Sequence, residues 1–127
     1  MMRPPAWLLL AAALPVCSHT VVLYSRADAE QAGRVHALAA AFGPALIDRQ
    51  LPAGAAWRST IAAAICGADR ALLVWSARAA QSVEVRRELD TALACHVLVV
   101  PVLLDSTPLP GLIGDTQGVD WRPSTLK

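Results

Sequence analysis

At 127 residues, with 55% hydrophobic and 17% charged side chains, the chain is long enough for one core and too apolar for disorder. Its formal net charge is +1 and no basic block is present, which removes the electrostatic case for a nucleic-acid partner. Cys17, Cys66 and Cys95 and the histidines His19, His36 and His96 have neither CxxC nor metal-ligand spacing, so no metal site and no disulfide framework is expected, and the cysteines read as small buried hydrophobes in a reducing compartment.

The opening stretch, "MMRPPAWLLLAAALPVCSH", carries an early charge at Arg3 and an apolar run from Ala6 to Val16. The run is shorter than the roughly 20 residues needed to span a bilayer. It fits the apolar region of a signal peptide, and Val16 and Ser18 are small enough to flank a cleavage point before His19. A lipoprotein signal at Cys17, a leader helix docked on the domain and an unneeded upstream start are the other readings. Residues 1–19 are therefore set apart as an apolar leader from a domain over 20–127. The expected location is cytoplasmic, or exported if residues 1–18 are a signal peptide. Membrane contact is expected only if the leader is retained.

From Thr20 onward short apolar strands alternate with helical patterns. "TVVLYS" is β-branched and predicts a buried strand. In "DAEQAGRVHALAAAF", Asp28 is a cap or first-turn acid, and Val35, Leu38 and Phe42 recur at helical spacing until Gly43-Pro44. "ALID" is a second strand and "RQLPAGAAW" a turn-rich loop. "AWRSTIAAAICGA" places Trp57, Ile61, Ala64 and Ile65 on one helix face. "RALLVWS" is a third strand, apolar on both faces. "VEVRRELDTALAC" is a third helix with Val85, Leu89, Ala92 and Leu93 inward. "HVLVVPVLL" is a fourth strand, where Pro101 predicts a bulge or a locally unpaired edge. One helical turn within "DSTPLPGLIGDTQ" and a short fifth strand at "GVDW" complete the pattern. Such alternation predicts an α/β fold: a flavodoxin-like, doubly wound parallel sheet of four to five strands with helices on both faces. Ligands then bind beyond the carboxyl ends of the strands, where the strand order reverses. No GxGxxG or P-loop pattern is present.

Four stretches in this order resemble a Toll/interleukin-1 receptor (TIR) domain, most closely the bacterial kind. They are "VVLYSRAD", "LIDRQLPAGAAW", "ALLVWSARAAQSVEVRREL" and "VLVVPVLLD", which together span roughly Thr20 to Arg122. The family's last helix has no counterpart before Lys127. The resemblance implies cleavage of the nicotinamide–ribose bond of NAD+, taken as substrate with no resident cofactor, in bacterial defence or virulence signalling. It implies Glu88 as the catalytic carboxylate and self-association through TIR surfaces, including the loop of Pro52 and Gly54. Catalytic members usually carry an aromatic residue four positions before that glutamate, where this chain holds Glu84.

The chemistry is compatible with one carboxylate. The leaving group is already a pyridinium and departs neutral without a general acid, whereas an ordinary glycosidase needs two carboxylates. A single anion near the ribose stabilises the oxocarbenium-like charge as the bond stretches. Counted from Val85 and Leu89, Glu88 falls on the flank of the buried helix face. As an alternative, Glu84, Arg86, Arg87 and Glu88 form a solvated patch with an i,i+3 pair between Glu84 and Arg87. Tyr24, Ser25, Arg26, Asp48, Trp57 and Ser76 are the candidate substrate-binding residues. Tyr24 to Arg26 can equally be a capping turn, Trp57 core packing and Ser76 an ordinary strand end. A non-catalytic TIR interaction module and a nucleoside-processing transferase of similar fold are the competing functions.

Overall fold

The computed structural model describes residues 19–47 and 57–122. Expectations that fall on the leader up to Ser18, on Asp48, Pro52 and Gly54, on the Trp57 side chain, and on 123–127 lie outside the described residues.

Five parallel strands form one sheet in the order β2-β1-β3-β4-β5: β1 (Thr20–Leu23), β2 (Ala45–Ile47), β3 (Arg70–Trp75), β4 (Leu98–Leu103) and β5 (Val119–Asp120). The chain leaves β1 toward one edge for β2 and returns to the other side for β3, so the strand order reverses between β1 and β3. The doubly wound α/β sheet expected from the alternation is the observed fold. Helix α1 (Ala29–Ala40) covers one face. Helices α2 (Trp57–Cys66), α3 (Ala77–Ala80) and α4 (Val83–Ala94) cover the other.

Strand periodicity divides the core. Val22, Tyr24, Leu72, Val74 and Val102 point to α1, where Ala32, Val35 and Ala39 meet them. Val21, Leu23, Ala71, Leu73 and Trp75 point the other way, onto Ile61 and Ile65 of α2 and Val85, Leu89 and Ala92 of α4. All six residues of β3 are buried, which is why its sequence is continuously apolar after Arg70. Burying one such Leu or Val side chain stabilises the fold by about 1.5–3 kcal/mol.

One local expectation holds in one of its two branches, and two others change. Pairing between β3 and β4 runs without interruption through Leu73 and Pro101, so Pro101 forms no bulge. Its other neighbour, β5, begins opposite Val102, which leaves Pro101 beside a locally unpaired position. Phe42 lies beyond the end of α1 and is exposed. His96 does not start the fourth strand but ends α4. Its φ of 59° is left-handed, its N–H donates to the Leu93 carbonyl, and the Val97 N–H donates to that of Ala92. This pair of bonds satisfies carbonyls that the last turn leaves open.

Candidate functional site

Helix α4 positions the candidate carboxylate. The Ser82 hydroxyl accepts from the Val85 N–H at 3.2 Å and starts the helix. From there Val85, Leu89 and Ala92 face the sheet, and Glu88, between them in angle, is drawn down to 8% exposure. A carboxylate that buried is costly unless its surroundings hold its charge, and functional sites are where such buried carboxylates gather.

Glu88 lies where two hollows meet. One is a groove of about 140 Å³ between α2 and α4, lined by Arg58, Ile61, Ala62, Ile65, Glu84, Arg87, Glu88 and Thr91. The other is a narrower gap walled by Val21 to Leu23 of β1, Leu46 and Ile47 of β2, and Ile61 and Ala64 of α2. The carboxylate thus stands between the helix layer and the first two strands. The sequence placed Glu88 on the flank of the buried face, and that is its position.

One helical turn earlier, Glu84 stands at the groove rim. Its Oε1 accepts from Arg58 Nη2 at 3.2 Å and from Arg87 Nη1 at 3.4 Å. The Arg87 contact is the i,i+3 pair readable from sequence; the Arg58 contact crosses from α2 and is not. All three side chains are at least 42% exposed, so each pair is worth little to stability.

A larger hollow, about 420 Å³, opens at the carboxyl ends of β1, β3 and β4 between Asp28, Gln31, Ser76, Ala77, Arg78, Leu104 and Asp105. Its carboxylates already serve the fold. Buried Asp28 accepts from the Ser76 hydroxyl and lies 3.7 Å from Arg78. It does not cap α1 with its side chain, contrary to one expectation. Ser76 in turn caps α3 by accepting from the Ala79 N–H. Asp105 accepts from the N–H groups of Ala77 and Thr107. Hydrogen bonds from the Thr107 side chain and these amides hold the Asp105 carboxyl below the usual carboxylate range.

The expected substrate-binding residues divide between the two faces. Tyr24 is 9% exposed and packs in the α1 layer, across the sheet from Glu88. Ser25 accepts from the Ala27 N–H and starts a 3-10 turn over Arg26–Asp28, with Arg26 exposed. Ser76 sits at the larger hollow. Sequence reasoning passed over Arg58, whose only signal was its place one residue into the helix facing α4. The cysteine reading is corrected. Cys66 and Cys95 are exposed and joined in a disulfide, with Cα atoms 5.3 Å apart. Each stands at the carboxyl end of a helix, α2 or α4, and parallel packing on one sheet face brings those ends together. Among the described residues no group of three or more His, Cys, Asp or Glu is arranged to hold a metal ion.

The sequence matches the TIR domain family over residues 21–126. This chain belongs to that family. Two solved structures share the TIR architecture. The TIR domain of the Toll-related receptor TRR-2 from Hydra magnipapillata superposes with a TM-score of 0.70 at 20% identity, over 80% of this chain and 82% of that one. The TIR domains of the activated Roq1 resistosome, which directly recognizes the pathogen effector XopQ, give a TM-score of 0.63 at 25% identity, over 72% of this chain and 60% of that one. No curated protein matches the sequence. Among the described residues of this TIR domain, no helix is long and apolar enough to cross a membrane.

Proposed function

We propose that this TIR domain is an NAD+ nucleosidase of the bacterial type, acting in defence or virulence signalling, with Glu88 as its catalytic carboxylate. The observation that carries the reading is the burial of Glu88 at the floor of the α2–α4 groove, beside the first two strands. In this reading the C1′–N1 bond breaks and its electron pair leaves with nicotinamide, which becomes neutral. The buried anion stabilises the cationic ribose, where a low local dielectric makes it more effective than in water. Water then adds at C1′ and gives up its proton, so the products are nicotinamide, ADP-ribose and one proton. Self-association completes or activates the site, as the family resemblance implies, and no resident cofactor takes part. NAD+ is met in a cytoplasm, the chain's own or, after export, that of another cell into which it is delivered. The exposed Cys66–Cys95 disulfide favours the exported alternative, because such bonds persist in oxidising compartments.

The test is nicotinamide release from NAD+ by the purified chain across a range of protein concentrations. Glu88→Gln keeps the shape and removes the charge. A fall of at least about 100-fold is expected, the scale of losing one preorganised electrostatic contact. Equal turnover by the variant, or none by the wild type at any concentration, defeats the reading. A second reading, a non-catalytic interaction module, is favoured by Glu84, which stands at the usual aromatic position and there pairs with Arg58 and Arg87. Its signature is concentration-dependent assembly that leaves NAD+ intact.

A further inference from the structure

The groove has an ordered distribution of charge. Its floor carries the Glu88 carboxylate, 8% exposed, and its rim carries two guanidiniums on one carboxylate, a net single positive charge. Glu84 and Glu88 are four residues apart on α4, so floor and rim are separated by one turn, about 6 Å along the axis. A fitting ligand has a cationic or cation-forming centre with an anionic group about that far away. A ribosyl pyridinium joined to a pyrophosphate has this pattern. The rim contacts are exposed ion pairs of small net worth, so either guanidinium can turn from Glu84 to a phosphate at little loss. The exchange gains a charge-assisted, planar contact of the kind arginine makes with phosphate.

We infer that Arg58 and Arg87 grip the pyrophosphate of the dinucleotide, turning to it from Glu84, which pairs with them over the groove mouth when no ligand is bound. This rests on the nucleosidase reading. It makes the site selective for the pyrophosphate-bearing substrate over nicotinamide riboside, which presents the same scissile bond without a phosphate. Arg58 comes from α2 and Arg87 from α4, so the grip also requires the two helices to stay paired.

The experiment compares NAD+ and nicotinamide riboside as substrates, and separately titrates ADP-ribose into the protein by calorimetry. For Arg58→Gln with Arg87→Gln, KM for NAD+ is expected to rise at least about 10-fold with kcat nearly unchanged, the worth of one or two charged hydrogen bonds. Cleavage of nicotinamide riboside is expected to change far less than that of NAD+, and ADP-ribose affinity to fall by the same factor as for NAD+. Glu84→Gln removes the anion that competes with the phosphate for both guanidiniums, so KM for NAD+ is expected to fall or hold, and a rise as large as that of the arginine variant counts against the exchange. Equal losses on both substrates, or ADP-ribose binding that is absent in the wild type or unchanged in the arginine variant, overturn the inference. Calorimetry needs no turnover, so failure of the Glu88 chemistry and failure of the phosphate grip are read separately.

Discussion

Three carboxylates of this chain show how burial and partners assign different work to the same group. Asp28 is buried and holds Ser76 and Arg78, so it is a structural tie between the ends of β1 and β3. Asp105 is held by Thr107 and Ala77, and its pKa is lowered by those hydrogen bonds. The sign follows directly. A carboxyl whose folded pKa lies below its unfolded value, near 3.9, stabilises the fold above that value, and the contribution disappears as pH falls through the folded pKa. The wild type is therefore expected to lose more stability than Asp105→Asn between about pH 5 and about pH 3, checked by urea melts at each pH. Parallel curves for the two proteins would show that the Asp105 contacts do not favour its ionised form. Glu88 differs from both in location: it lines a groove on the helix-covered face rather than a strand-end turn. Its residue type and helical flank were visible in "VEVRREL". The partners of Glu84 at the rim were visible only in part, because Arg87 lies on the same helix whereas Arg58 arrives from 26 residues earlier in the chain.

Helix α4 combines a favourable start with an expensive stop. Ser82 caps its amino end. His96 at its carboxyl end takes the left-handed conformation that glycine adopts freely and other residues adopt at about 1–2 kcal/mol. His96→Gly is expected to stabilise the domain by about 1 kcal/mol, less what glycine gains in the unfolded chain, as a rise in denaturation midpoint. A fall in that midpoint would mean the imidazole makes a stabilising contact that outweighs the backbone relief. The sequence assigned His96 to the fourth strand because nothing in "ACHVLVV" marks a stop: the glycine that usually does so is absent. The short helix α3 was missed for a related reason. Four residues, Ala77–Ala80, show no period, and the helix forms because Ser76 and Asp105 supply acceptors for its first amides.

The disulfide ties together the carboxyl ends of α2 and α4. It joins residues 29 apart in sequence. Closing a loop of that size in the unfolded chain is worth about 3–4 kcal/mol on the chain-entropy account. Reduction, or Cys66→Ser with Cys95→Ser, is expected to lower unfolding free energy by about that amount in urea melts, with the sheet signal retained in the native baseline. Unchanged melts after full reduction would show that helix packing alone holds this face. The bond also bears on the groove, because α2 and α4 carry its two walls.

Strand identity, the two-sided burial of β3, the parallel alternation and the buried flank of Glu88 were all legible in the amino-acid order. Each follows from hydrophobic periodicity, which is a property of neighbouring residues. The Cys66–Cys95 bond, the Asp28–Ser76 tie, the crossing of Arg58 to Glu84 and the separation of Tyr24 from Glu88 by the thickness of the sheet were not. Those depend on where distant segments come to rest, and packing on the two faces of a sheet sets such distances without leaving a local pattern in the chain.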